Sequence, residues 1–349
     1  MASKIAISKE EKWRRFFRKL ILYLILSTGG LVMIAPFIWM LATSLKEQGA
    51  VFTYPPEFIP KSQIEVEYNN MPYGLYTTTI DGKKVKVIRL KVIKNIAQVK
   101  IYLSGKIMDE IVEVPTDSLK PYKKVNIVWK NYPDAWNAVP FGRFFVNSLF
   151  VSITVTLGQV LTSSLAAYAF ARLRFKFRDQ LFLGYLATMM IPGTVTMIPV
   201  FILIKKLGWI DTYAALILPG MFSAYGTFLL RQFFLSIPKD LEESAVIDGA
   251  SKLTIYWKII MPLSKPALAT LTTFVFLWVW NDFMWPLIVT NSMEMKTLPV
   301  GLSAFQGLYT TNWTLLMAAA VIVLIPVLIL YIFNQRYFIK GIALSGLKG

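Results

Sequence analysis

Runs of about twenty apolar residues recur along this chain, and a run of that length crosses the roughly 30 Å hydrocarbon core of a bilayer as one helix. They lie at Leu20–Leu45, Phe144–Phe170, Leu181–Ile204, Tyr213–Leu230, Pro266–Thr290 and Trp313–Phe338, six in all. With 55% hydrophobic residues in a chain of 349, the reading is a polytopic, all-α membrane protein. The first run follows a basic stretch (Lys12, Arg14, Arg15, Arg18, Lys19) in the manner of a signal peptide. It is too long for one, contains Pro36 and lacks a small-residue cleavage site, so it reads as a retained helix.

Orientation follows from Lys and Arg in the short connections, which favour the cytoplasm. Arg172, Arg174, Lys176 and Arg178 sit between the second and third runs; Arg231, Lys239, Lys252, Lys258 and Lys265 between the fourth and fifth; Arg336, Lys340 and Lys348 in the tail. All three groups predict both termini inside; Lys205 and Lys206 fall on the other side. The expected boundaries are a cytoplasmic segment 1–19, a first helix 20–45, an extracytoplasmic loop 46–143, a transmembrane core 144–338 and a cytoplasmic tail 339–349.

Within the long loop the apolar period changes to two. Thr77–Ile80, Asp81-Gly82 and Lys83–Val87 read as a hairpin, and Val99–Leu103, Ser104-Gly105 and Lys106–Val114 as a second. A small β-rich insert over about 63–126 is expected, its lysines forming a solvated face or a docking surface.

The formal charge of +17 raises nucleic acid as a partner, but the basic residues cluster at span ends and in the insert, where membrane orientation and solvation account for them. Cysteine and histidine are both absent, which removes disulfides, thiolate and imidazole metal sites, and Cys/His or Ser/His catalysis. The chain also contains no G-x-x-x-x-G-K-[ST] phosphate loop. An enzyme is not expected here, nor is a metal or cofactor bound by this chain.

The cytoplasmic connection SIPKDLEESAVIDGASKLTIYWKIIMPLSKP, about 236–265, carries the most local information. Pro238 suits a first helical position, and Asp240, Glu242 and Glu243 put negative charge at a positive helix end. Gly249 suits a left-handed stop, Ser251 caps a second helix through Trp257 to Met261, and Pro262 ends it. Such a bracket serves equally as a docking element or an interfacial amphipathic loop.

The segment resembles the EAA loop of ABC-importer permeases: Glu-Ala-Ala, three residues, Gly, nine residues, Ile, one residue, Leu-Pro. Here Glu243-Ser244-Ala245, Asp248-Gly249, Ile259 and Met261-Pro262 stand at that spacing, with Ser244 and Met261 as departures. The resemblance extends to PFGRFFVNSLFVS (Pro140–Ser152), to Met189–Pro219, to Trp280-Asn281-Asp282-Phe283 with Trp285-Pro286, and to the tail Asn334–Gly349. These resemble carbohydrate-importer permeases of the maltose-system G-subunit type, over most of 15–60 and 130–349, leaving the insert uncovered.

The resemblance implies the type I ABC importer permease fold with six transmembrane helices. It also implies a homologous sister permease, two ATPase subunits that use ATP and Mg, an extracytoplasmic sugar-binding protein, and a bacterial or archaeal cytoplasmic (inner) membrane. Glu243, Ser244, Ala245, Asp248, Gly249, Ile259 and Pro262 would couple to the ATPase, and Gly346, Leu347, Lys348 and Gly349 would reach between the two ATPase subunits. The local alternatives are helix-end electrostatics for Glu243 and disorder for the tail.

Asn281, Asp282 and Trp285 stand within the fifth run, and an ionisable group at that depth is a functional candidate. Direct sugar contact and a structural hydrogen bond are both open for Asn281 and Asp282; Asn147, Gln159 and Gln232 are weaker candidates. The rival classes are an ion-gradient transporter, which needs a carboxylate relay and paired repeats, a membrane hydrolase, and a non-catalytic scaffold.

Overall fold

The computed structural model describes residues 9–103, 105–306 and 311–345, with side chains over 13–335 of those ranges. Two compact units emerge: residues 1–133 with 312–321, and residues 134–311 with 322–349.

The first unit opens with α1 (Lys9–Ser44), which keeps Pro36 inside it. The apolar window of this helix is 0% buried within the protein, so its leucines and isoleucines need cover from lipid or another chain. Its C-terminal end is tied down locally. Asn131 Nδ2 donates to the carbonyls of Ser44 (2.8 Å) and Lys46 (2.7 Å), and the Ser44 hydroxyl pairs with Tyr132 at 2.9 Å. These bonds supply donors that the last turn of a helix lacks. Lys46 is buried with its Nζ 4.3 Å from the Trp39 ring centre, and burial pushes its pKa down against the opposing charge of Glu57.

Among the described residues, eight strands follow: β1 (Lys61–Gln63), β2 (Glu65–Tyr68), β3 (Met71–Ile80), β4 (Lys83–Ile93), β5 (Ile96–Leu103), β6 (Lys106–Pro115), β7 (Lys120–Pro121) and β8 (Lys123–Val125). Strands β2 to β6 form an antiparallel meander, β7 adds to β3, and β1 pairs with β8 as a separate ribbon. Asp81 (φ 51°) and Gly82 (φ 74°) both hold positive φ, the combination a two-residue turn needs to match the twist of its strands. Alternation then points Val87, Ala97, Val99 and Val114 into one small core.

The second unit is helical. After α2 (Asn131–Ala138) at the boundary, α3 (Phe141–Arg172) runs through its middle, packed by α7 (Ala224–Leu235) and α11 (Lys265–Trp280). Between them lie α4 (Arg178–Ala187), α5 (Gly193–Lys206), α6 (Tyr213–Ile217), α8 (Asp240–Ile247), α9 (Lys252–Ile255) and α10 (Met261–Leu263). Then come α12 (Met284–Val289), α13 (Leu298–Leu302) and α14 (Trp313–Ser345), the last shared between the units. Small buried residues along α3, among them Ser148, Ser152, Ser163, Ala167 and Ala171, let its neighbours approach closely. At Gly226 of α7 an added Cβ would stand 2.6 Å from the Ser163 hydroxyl, so the crossing admits no side chain there.

Among the described residues, four helices are long and apolar enough to cross a membrane, within Trp13–Ser44, Phe141–Arg172, Tyr213–Leu235 and Trp313–Gln335; counting each bent pair as one span gives up to six. One bend and one break fall where the sequence reading drew single runs. The third run is α4 and α5 meeting at 98°, broken where a short 3-10 turn over Thr188–Met190 gives way to Pro192, which stands just before α5. In the fifth run α11 ends at Trp280 and α12 begins at Met284.

One expectation is corrected. Pro262 does not end the second helix of the 236–265 connection but sits inside α10. A π turn over Tyr256–Ile260 precedes it, with the Met261 N–H reaching back to the Tyr256 carbonyl. The wider turn relieves the clash a proline ring makes with the carbonyl four residues before it. The chain bends by 79° only afterwards, between Leu263 and Lys265.

Candidate coupling surface and substrate path

The bracket is built by local rules. Helix α8 carries Asp240, Glu242 and Glu243 in its first turn, where negative charge opposes the exposed amide dipoles. It ends in a full Schellman motif: the Ala250 N–H donates to the Ala245 carbonyl (2.9 Å), the Gly249 N–H to the Val246 carbonyl (3.0 Å), and Gly249 holds φ 79°. Ser251 then takes extended geometry, and its hydroxyl accepts the Thr254 N–H at 3.2 Å, capping α9.

This geometry sorts the motif residues by direction. Glu243, Ser244, Asp248, Gly249 and Pro262 are exposed, beside exposed Ile247, Leu253 and Trp257. Ala245 and Ile259 turn inward and pack on the core cluster that includes Ile255, Tyr256 and Ile260. The bracket thus offers a surface of exposed carboxylates, Asp240, Glu243 and Asp248, among apolar side chains, anchored from below by Ala245 and Ile259.

Sequence reasoning missed Glu242, treating it as helix-end charge, and Arg172, treating it as a topological cation. In the structure Arg172 Nε lies 3.0 Å from Glu242 Oε1, with both side chains largely buried. The available signal was the helix period, since Glu242 falls one turn before inward-facing Ala245 and about 100° around from Glu243.

The substrate-path candidates separate. The Asp282 carboxylate accepts the Trp285 N–H at 3.3 Å, starting α12, and the Trp285 indole donates to the Ala215 carbonyl at 2.9 Å. Both residues line a cavity of about 540 Å³ with Thr194, Thr196, Met197 and Trp278. Asn281 is exposed, with its amide donated to the Leu277 carbonyl at 2.7 Å, and is not among that cavity's lining. Trp278 also lines a second cavity of about 310 Å³ with Gln159, Ser223, Tyr225 and Phe274.

Asn147 is fully buried and spent on structure, donating to the Glu294 and Lys296 carbonyls and accepting the Tyr213 hydroxyl. Gln232 is exposed. The tail residues Gly346, Leu347, Lys348 and Gly349 lie outside the described residues.

Residues 159–344, which include the bracket and most of the lining of both cavities, match the family model described as binding-protein-dependent transport system inner membrane component. The chain belongs to that family. This permease is 41% identical over 209 residues to the arabinooligosaccharides transport system permease protein AraQ of Halalkalibacterium halodurans, covering 60% of this chain and 75% of that one. It is 36% identical over 223 residues to the sn-glycerol-3-phosphate transport system permease protein UgpE of Yersinia pestis, covering 62% and 79%.

Among solved structures, a bacterial ABC transporter that imports the acidic polysaccharide alginate superposes with a TM-score of 0.66 at 22% identity, covering 95% of this chain and 98% of that one. The permease therefore has the type I ABC importer permease fold, mostly helical with several apolar helices. It is a transport component of an ABC importer and not itself a catalyst.

Proposed function

We infer that this permease imports a carbohydrate, as an oligosaccharide or a sugar phosphate, by alternating access driven by separate ATPase subunits. The observation that carries the coupling is the bracket: a Schellman turn at Gly249 that leaves Glu243 exposed while Ala245 and Ile259 hold the bracket to the core. In this reading α8 is the coupling helix, Glu243 meets a basic group in a cleft of the ATPase, and Asp248 and Gly249 let the turn approach closely. Ser244 and Pro262 complete its exposed rim. ATP and Mg act in the partner, and closure of the ATPase pair pulls the bracket and rocks the spans.

The bent α4–α5 pair then counts as one span and α11 with α12 as another, giving six, with both termini cytoplasmic and the β-rich insert on the outer side. A homologous sister permease completes the path, two ATPase subunits dock beneath, and an extracytoplasmic binding protein delivers the cargo. The names of the relatives, for arabinooligosaccharides and sn-glycerol-3-phosphate, support a carbohydrate cargo. Asp282, Trp285 and Trp278 around the larger cavity offer one carboxylate and two indole faces, the chemistry that receives sugar hydroxyls and the flat face of a pyranose.

The test is reconstitution in vesicles with the neighbouring gene products, comparing ATP hydrolysis and uptake of labelled arabinotriose, maltotriose, trehalose and glycerol 3-phosphate. Glu243→Ala is expected to leave the complex assembled while both activities collapse by about tenfold or more, within the range a typical allosteric coupling spans. Uptake that ignores ATP and the substitution would instead point to an ion-gradient transporter.

A further inference from the structure

Three polar side chains on α3 stand four residues apart, at Ser164, Tyr168 and Arg172, so they form one stripe on a single helix face. Each reaches the bracket. The Ser164 hydroxyl pairs with the Tyr256 hydroxyl at 2.7 Å, the Tyr168 hydroxyl donates to the Lys252 carbonyl at 3.1 Å, and Arg172 Nε meets Glu242 Oε1 at 3.0 Å. The stripe therefore touches the π turn, α9 and α8 in succession.

Arg172 does more than pair with one carboxylate. As the last residue of α3 it also donates through Nη2 to the carbonyls of Phe234 and Ile237 (2.6 Å for the latter), at the end of α7. Both carbonyls lie at the C-terminal end of α7 or just beyond it, at the negative pole of the helix. Arg231 of α7 returns the contact, its Nε donating to the Phe170 carbonyl of α3 at 3.3 Å. One guanidinium thus joins the ends of α3, α7 and α8. Its contact with Glu242 is a meeting of charges without hydrogen-bond alignment, so it tolerates a change of angle between α8 and α3 that an aligned bidentate pair would resist.

We propose that Arg172, with Glu242 and the stripe above it, is the positioning device that makes α3 follow the coupling helix. The proposal rests on the reading of α8 as the coupling helix. Glu243 faces the ATPase and receives the motion; Glu242, one residue earlier, hands it to a helix that packs against α7 and α11.

The experiment uses the complete reconstituted importer and the labelled sugar of the panel that the wild type takes up. Three readouts are taken for Glu242→Gln: assembly with the partner subunits, ATP hydrolysis, and sugar imported per ATP. The expected result is an assembled complex that still hydrolyses ATP but imports at least about fivefold less sugar per ATP, the lower end of a typical coupling. An assembled complex with the wild-type ratio overturns the proposal. If Glu242→Gln fails to assemble, Ser164→Ala with Tyr168→Phe removes two stripe contacts without touching charge. A wild-type ratio in that variant overturns the proposal, and a reduced one supports it.

Glu243→Ala is run alongside. If it leaves both activities intact, the coupling reading fails. If it abolishes them while Glu242→Gln keeps the wild-type ratio, only the positioning role fails.

Discussion

Asp211 shows how a single carboxylate can hold two loops. It stands at φ 62° after α5, its N–H donates to the Val289 carbonyl at 2.8 Å, and its Oδ1 accepts the N–H groups of Asn291 (2.8 Å) and Ser292 (3.0 Å). Partial burial pushes its pKa up, but those amides and the Ser292 hydroxyl outweigh burial and hold it below its ordinary 3.8. The stabilisation is therefore fully present above pH 3.8 and lost only as pH falls through the lower folded value. Hydrogen exchange at Asn291 and Ser292, corrected for intrinsic rates, should show constant protection from pH 8 to 5 and a drop below 3.8. Asp211→Asn should lose that protection already at neutral pH, because a charged acceptor bonds about twice as strongly as a neutral one.

At the scale of elements, the bracket was legible in the sequence because its punctuation is local. Gly249, Ser251 and the acidic first turn each act within four residues, and the structure uses all three at the sites the sequence marks. What was not legible depends on partners distant in sequence. Glu242 and Glu243 read alike until α3 supplies Arg172 sixty or more residues away, and the break at Asn281–Phe283 carries no glycine or proline to announce it. Pro262 misled for the same reason, since the π turn before it belongs to packing rather than propensity. Gly249→Ala tests the local part. No atom lies within 4 Å of an added Cβ, so the cost is the left-handed backbone alone, about 1–2 kcal/mol. It should appear as a modest loss of thermal stability in the purified complex, with Gly226→Ala costing about 1–3 kcal/mol through overpacking against Ser163.

At the scale of the whole molecule, the two units differ in how their sequence reports them. The apolar runs mark long apolar helices, and the period-two segments mark strands, because both signals are short-range and repeated. The ribbon of β1 and β8 brings Lys61 opposite Val125, so the segment between enters and leaves at neighbouring points. Replacing residues 64–122 with a short Gly-Ser link should leave the helical unit able to co-purify with its partners, measured by pull-down and size-exclusion chromatography. If the insert contacts the delivery protein, uptake at low delivery-protein concentration should fall while assembly holds; unchanged uptake would remove that role. Helix α3 ties the second unit together over long separations, with the Leu298 N–H donating to the Ser148 hydroxyl 150 residues away. At about 5–20 residues per second, the ribosome needs roughly eight to thirty seconds to deliver that partner. Throughout that interval the Ser148 hydroxyl lacks its Leu298 partner and the Asn147 amide lacks the Glu294 and Lys296 carbonyls, so a nascent chain stalled before the 290s should be held by membrane insertion factors and, without them, become a substrate for quality-control proteolysis.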